Sequence, residues 1–211
     1  MAVVVIGGHT RNIGKTSVVA GIVAALPEFR WVAVKITQFG HGVCSANGEP
    51  CDCETADHTM AVSEERERAS GTDSSRYLEA GAQRSFWVRT RQGQLQEAMP
   101  RVRRLIQDAE AAGSDVIVES NSVLRFLRPE LFLSVMDPGV EDFKPSALRY
   151  LDRADALVLS GEGLDHAAWR GVGPSLLRKR MIRVMPPEYS SEELAEFVRE
   201  RMVRVSVGRQ G

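Results

Sequence analysis

One short segment constrains this chain more than any other, a glycine-bearing turn that ends in Gly14-Lys15-Thr16-Ser17. The β-branched run AVVVI at residues 2–6 comes before the turn and predicts a buried parallel strand. After the turn, apolar residues recur at helical spacing from Thr16 to about Leu26, which predicts a helix. A strand, a glycine turn and a helix in this order favour phosphate binding, because backbone N–H groups and the helix N-terminus face the anion.

The predicted phosphate loop runs from Gly8 to Thr16 and is one residue longer than the common pattern, with His9 at a position where glycine is usual. The Lys15 side chain can reach the β and γ phosphates and is a predicted catalytic residue, whereas Thr16 can ligate Mg²⁺. An ordinary glycine turn with a surface lysine is the alternative. The residues predicted to contact the nucleotide are Gly8, His9, Thr10, Arg11, Asn12, Ile13, Gly14, Lys15, Thr16 and Ser17.

Apolar runs and helical repeats alternate along the rest of the chain. This order predicts an α/β fold, a mostly parallel sheet with helices on both faces, formed by residues 1–211 as a single domain. Ligands of such sheets bind beyond the carboxyl ends of the strands. A helix is predicted to start at Pro100 and end near Gly113, and the last helix to start within Ser190–Glu193. Strands are predicted at residues 31–36, 85–88, 116–119, 131–136, 156–160 and, at an edge, 182–185.

Charge and hydropathy exclude several classes of partner. The chain has 27 basic and 28 acidic residues and a formal net charge of −1, so no overall field favours nucleic acid. The N-terminal segment lacks the pattern of a signal peptide, and no apolar run approaches the roughly 20 residues that span a bilayer. We therefore expect a cytoplasmic protein that binds neither membrane nor nucleic acid.

The segment GHTRNIGKT resembles the long phosphate loop of dethiobiotin synthetases. Its position after the first strand is similar to that in the wider class of P-loop proteins related to nitrogenase iron protein and signal-recognition GTPases. This resemblance implies a P-loop NTPase fold with ATP or GTP and Mg²⁺ as ligands.

Two further segments, VAVKITQFGHG and GTDSSRYLEAGA, resemble the adapter family of molybdopterin-guanine dinucleotide biosynthesis. The resemblance implies that Lys35 and Asp73 belong to the nucleotide site. It also implies a molybdopterin-cofactor enzyme as a partner; a homodimer is left open. The other matching positions are Ser74, Arg76, Ala80, Gly81 and Ala82.

The segment DVIVES, residues 115–120, resembles the acid-ended strand of both families. Glu119 is the expected second catalytic residue and the acidic partner of Mg²⁺, with Thr16 as the other metal contact. The sequence leaves ATP and GTP open, because Ser160, Glu162 and Asp165 stand where a guanine-specific Asn-Lys-x-Asp run would be expected.

Cysteine and histidine cluster in a long segment without periodicity, an insertion at about residues 38–72. Thiolates at this density favour zinc or an iron–sulfur cluster, although the spacing is not a common zinc-finger spacing. Free thiols are the alternative. The predicted ligands are Cys44, Cys51, Cys53 and His58, with His41 as a substitute for His58.

Three functions follow from these patterns. The leading one is a nucleotide-binding accessory protein with weak Mg²⁺-dependent NTPase activity in molybdopterin-guanine dinucleotide biosynthesis. The alternatives are an ATP-dependent enzyme similar to dethiobiotin synthetase and a nucleotide switch that delivers or senses a metal.

Overall fold

The computed structural model describes residues 1–39, 60–161, 169, 172 and 178–208. Within these ranges the strands are β1 (Val3–Gly8), β2 (Val32–Phe39), β3 (Met60–Glu65), β4 (Arg84–Arg91), β5 (Val116–Glu119), β6 (Leu131–Met136), β7 (Ala156–Ser160) and β8 (Arg180–Val184). The helices are α1 (Lys15–Ala25), α2 (Asp73–Glu79), α3 (Leu95–Ala111), α4 (Pro145–Leu148) and α5 (Glu192–Gly208).

The strands form one eight-stranded sheet in the order β3-β4-β2-β5-β1-β6-β7-β8. Strand β3 pairs antiparallel with β4, and every other pairing is parallel. The carboxyl ends of β1, β2 and β5 therefore meet at one edge of the sheet. The predicted α/β fold with a mostly parallel sheet is confirmed.

Both faces of the sheet are covered, as the alternation along β1 shows. Val4 and Ile6 pack in one apolar cluster with α1 and α5, and Val3 and Val5 pack in another with α3. Because successive side chains of a strand point to opposite faces, this division confirms helices on both faces. Among the described residues, no helix combines the length and apolar character needed to cross a membrane.

Helix α3 begins at Leu95, so the predicted start at Pro100 is wrong. Leu95, Ala98, Met99 and Val102 recur at spacings of a helical face and are all buried. Burial of this face extends the helix on the N-terminal side of Pro100. The proline removes one backbone donor but does not outweigh that packing.

Candidate functional site

The loop between β1 and α1 has the backbone conformation of an anion-binding turn. Asn12 and Gly14 have φ angles of 57° and 86°, in the left-handed region. Turns that combine right- and left-handed residues point successive N–H groups toward one side, which forms a concave anion site. Helix α1 begins directly after Gly14, so its N-terminal partial charge faces the same space.

Asn121 fastens the start of this loop to the end of β5. Its side-chain oxygen accepts a 2.9 Å hydrogen bond from the Gly8 amide, and its side-chain nitrogen donates a 2.7 Å bond to the Gly8 carbonyl. A Cβ at Gly7 would overlap the Asn121 side chain. Asn121, two residues after the acid-ended strand, therefore braces this loop, a role that the sequence did not predict.

His9 is fully buried, and hydrogen bonds occupy its main-chain and ring groups. The His9 amide donates to the Val135 carbonyl at 3.1 Å, and the His9 carbonyl accepts from the Lys144 amide at 2.8 Å. The ring accepts from the Asp137 amide at Nε2 (3.0 Å) and donates from Nδ1 to the Asp142 carbonyl (2.9 Å). Burial lowers the pKa of this imidazole, which fits the neutral ring that these two bonds require.

The predicted contact of His9 with the nucleotide stays a prediction. In the structure, His9 anchors the segment after β6 to this loop through its main-chain and ring bonds. The rings of Phe143 and Trp169 pack against it, with centroids 5.1 and 5.7 Å away.

Glu119 and Thr16, the two residues predicted to bind Mg²⁺, lie next to each other. The Thr16 hydroxyl donates a 2.8 Å hydrogen bond to Glu119 Oε2, and both residues are buried. Strand register places Lys35 directly opposite Glu119, and the Lys35 ammonium lies 3.5 Å from that carboxylate. The ammonium also contacts the Asp73 carboxylate and lies 3.3 Å from the Thr16 hydroxyl.

Tyr77 completes this cluster and was not predicted. Its hydroxyl donates a hydrogen bond to Glu119 Oε2, and the side chain is fully buried. Burial and the negative charge of Glu119 raise the pKa of Tyr77 well above its ordinary value, so the phenol stays protonated as a donor. Tyr77 follows Asp73 by one helical turn, and this spacing in the sequence could have indicated that both face the same site.

Lys15 bends back onto its own loop. The ammonium donates a 2.5 Å hydrogen bond to the Thr10 carbonyl. Burial lowers the pKa of Lys15, and the charge of Glu119 opposes that effect. Gly14 lies against the ring of Tyr189, and a Cβ at Gly14 would overlap that ring.

Two other predicted loop contacts have partners of their own. The Ser17 hydroxyl accepts a 2.8 Å hydrogen bond from Arg76, which ties the first turn of α1 to α2. The Ile13 side chain is buried, and its carbonyl accepts from Ser160 at 3.2 Å. Arg11 and Asn12 are exposed at the outer side of the loop.

The structure thus brings Lys15, Thr16, Lys35, Asp73 and Glu119 to one edge of the sheet. Oxygen donors from a hydroxyl and a carboxylate fit the preference of Mg²⁺ for hard ligands. The predicted metal ligands Cys44, Cys51, Cys53 and His58, together with Glu162, Asp165 and His41, lie outside the described residues. The part of the chain that is described contains no group of three His, Cys, Asp or Glu side chains that could hold a metal.

Fold and site together define an α/β protein with a mostly parallel sheet, in which a glycine-bearing loop joins the first strand of the chain to the first helix. No family model matches the sequence, and no curated protein matches it.

Solved structures with a similar chain trace include HypB from Helicobacter pylori in complex with nickel, with a TM-score of 0.46 and 12% identity over 95% of this chain and 85% of that chain. Another is an "apo" form of LpxK from Aquifex aeolicus in complex with ATP, with a TM-score of 0.47 and 15% identity over 87% of this chain and 53% of that chain. This chain therefore spans about half the length of LpxK. Likeness at this level assigns no ligand or activity to the chain.

Proposed function

We propose that this chain binds ATP or GTP with Mg²⁺ at the loop from Gly8 to Thr16 and hydrolyses it slowly. The observation that carries the proposal is the hydrogen bond between Thr16 and Glu119, at the N-terminus of α1. It joins a helix-start hydroxyl and a strand-end carboxylate, and both are oxygen donors of the kind that a phosphate-bound Mg²⁺ prefers.

Each neighbouring residue has a distinct part in this proposal. The Lys15 ammonium exchanges the Thr10 carbonyl for phosphate oxygens, and the backbone turn at Asn12 and Gly14 supplies N–H donors. Lys35 holds the Glu119 carboxylate in position through an ionic contact, and Asp73 pairs with the same ammonium. When bound, Mg²⁺ would neutralise charge that develops on the phosphates, with Thr16 and Glu119 as its protein partners.

Isothermal titration with ATP and GTP, with and without Mg²⁺, tests the proposal. Lys15→Ala should abolish binding while leaving the unfolding transition in place, because the ammonium holds phosphate and in the free protein bonds to the Thr10 carbonyl of its own loop. Lys179→Ala is the control, since the Lys179 ammonium bonds to the carbonyls of Asp152 and Ala154, away from the loop. Equal affinity in wild type and Lys15→Ala would remove this loop from nucleotide binding.

The proposed cellular role is accessory, in molybdopterin-guanine dinucleotide biosynthesis. Support comes from the resemblance of the segment GTDSSRYLEAGA, which forms α2 and contributes Asp73 and Tyr77 beside Glu119. Titration with molybdopterin guanine dinucleotide, with and without ATP or GTP, tests the role. A lack of binding under both conditions would refute it. An ATP-dependent enzyme similar to dethiobiotin synthetase has less support, because Ser120-Asn121 replaces the glycine that usually follows the acid-ended strand, and Asn121 braces Gly8.

A metal-delivery or metal-sensing switch is the other candidate, favoured by the sequence cluster of Cys44, Cys51, Cys53 and His58. Tightly held zinc would indicate a structural site, and exchangeable metal would indicate cargo. Elemental analysis of protein purified without added metal and without a polyhistidine tag, before and after dialysis against a chelator, separates these cases. Zinc and iron contents near zero would refute both.

A further inference from the structure

Lys144 lies beside the phosphate loop although it comes from a different part of the chain. The Lys144 amide donates to the His9 carbonyl at 2.8 Å, and the Lys15 ammonium donates to the next carbonyl, that of Thr10. The main chain of Lys144 and the side chain of Lys15 thus bond to consecutive carbonyls of one loop. Lys144 comes directly before α4 and is the last residue of the segment that follows β6, residues 137–144.

The segment that carries Lys144 is fixed to the loop at several points. The Thr10 hydroxyl donates to the Asp142 carboxylate, and the His9 ring bonds to the Asp142 carbonyl and the Asp137 amide. Phe143 packs against the same ring. These contacts hold Lys144 next to the loop in the folded chain.

The charges around Lys144 are of both signs. Burial and the positive charges of Lys15 and Arg11 lower the pKa of Lys144 to about 8, and the carboxylates of Asp142 and Glu119 oppose this shift. The main-chain bond from Lys144 to the His9 carbonyl keeps this cation beside the loop that carries Lys15 and Arg11. An anion among them would be attracted by all three.

We propose that Lys144 is a second phosphate-binding lysine of this site, which contacts the same phosphate groups as Lys15. The inference rests on the proposed nucleotide binding and adds a residue to it. Repulsion among Lys15, Arg11 and Lys144 in the free protein becomes attraction to the phosphates in the complex. Lys144 is the last residue of the segment at 137–144, which bonds to His9 and Thr10. Phosphate binding by Lys144 would therefore involve this segment as well as the loop.

The test compares Lys144→Gln and Lys144→Arg with wild type by isothermal titration of ATP, GTP and inorganic tripolyphosphate. Tripolyphosphate has the phosphates without the base, so it isolates the contact in question. Lys144→Gln should lower the affinity for each of the three ligands by roughly tenfold or more, since one charge-assisted hydrogen bond is lost. Lys144→Arg should keep most of the affinity. Arg149→Gln is the matched control, because Arg149 is an exposed cation just after α4 and should bind as wild type.

A second readout separates a phosphate contact from a structural role. Without ligand, Lys144→Gln should have a higher midpoint of thermal unfolding than wild type, because it removes repulsion and the burial of a cation. Unchanged tripolyphosphate affinity in Lys144→Gln would overturn the inference, as would weaker binding together with a lower unfolding midpoint. A wild-type protein that binds none of the three ligands would instead refute the proposed function itself.

Discussion

The Thr16 hydroxyl and the Glu119 carboxylate are 103 positions apart in the chain and 2.8 Å apart in the fold. Parallel pairing of β1 with β5 produces this contact, because Glu119 lies opposite Ile6 and the chain then turns through the loop into α1. In the free protein the Thr16 hydroxyl donates to the Glu119 carboxylate, which is the proposed ligand of Mg²⁺.

Glu119→Gln should reduce Mg²⁺-dependent hydrolysis of ATP or GTP by about 10- to 100-fold, with a much smaller effect on nucleotide affinity. A neutral amide is a poorer partner for the ion, whereas Lys15 and the loop N–H groups remain to hold the phosphates. Steady-state phosphate release and isothermal titration on one preparation measure the two effects. Unaltered hydrolysis would exclude Glu119 from the reaction.

Tyr77→Phe should lower the free energy of unfolding by about 1–3 kcal/mol, because the buried Glu119 carboxylate loses one hydrogen-bond donor. Denaturant titration measures the change. Tyr150→Phe is the control, since the Tyr150 ring is half-buried against Arg153 and its hydroxyl has no hydrogen-bond partner among the described residues. Equal losses in the two variants would contradict a role for Tyr77 in satisfying Glu119.

Buried strands were predictable where the chain has continuous apolar runs. Strands β5, β6 and β7 have the predicted bounds of residues 116–119, 131–136 and 156–160. Both sides of each strand are buried, so each gives an unbroken apolar signal in the sequence. Strand β3 gave no such signal, because its residues Met60–Glu65 are mostly half-buried at an edge and pair only with β4.

The site was predictable to the extent that its residues belong to local motifs. The loop motif indicated Lys15 and Thr16, the strand end indicated Glu119, and family resemblance indicated Lys35 and Asp73. Lys144 and Asn121 reach the loop through the packing of separate strands, which no local pattern encodes. The bonds of His9 to the segment at residues 137–144 could not be predicted for the same reason, since they are non-local.

Gly14→Ala should destabilise the protein for two reasons that can be separated. A left-handed φ of 86° costs a residue with a Cβ roughly 1–2 kcal/mol, and the new methyl group would also overlap the Tyr189 ring. Gly113→Ala is the control for the first cost, because Gly113 has a φ of 67° and nothing within 4 Å of an added Cβ.

Denaturant unfolding should therefore give a larger loss for Gly14→Ala than for Gly113→Ala. When Gly14→Ala is added to Tyr189→Ala, the further loss in the free energy of unfolding should equal the loss that Gly113→Ala causes in wild type. Equal losses in the two single alanine variants would show that the Tyr189 ring does not constrain this turn.

His9 should make the stability of the protein depend on pH. Burial lowers its folded pKa below the ordinary value of 6.5, so the unfolded chain binds more protons between those two pKa values. The free energy of unfolding should then be highest above about pH 6.5 and fall as the pH decreases toward the folded pKa. Protonation would place a hydrogen on Nε2, which now accepts from the Asp137 amide.

Denaturant unfolding of wild type and His9→Gln, measured as the pH falls from about 6.5, isolates the contribution of His9 to the free energy of unfolding. Acidic residues titrate in both proteins, so their effect cancels in the difference. The difference in stability between wild type and variant should narrow as the pH falls, since only wild type loses a buried neutral imidazole. Phosphate binding should weaken over the same range, because His9 holds residues 137–144 against the loop. A difference that stays constant with pH would mean that His9 has the same pKa in the folded and unfolded chain, and the lowered pKa would be wrong.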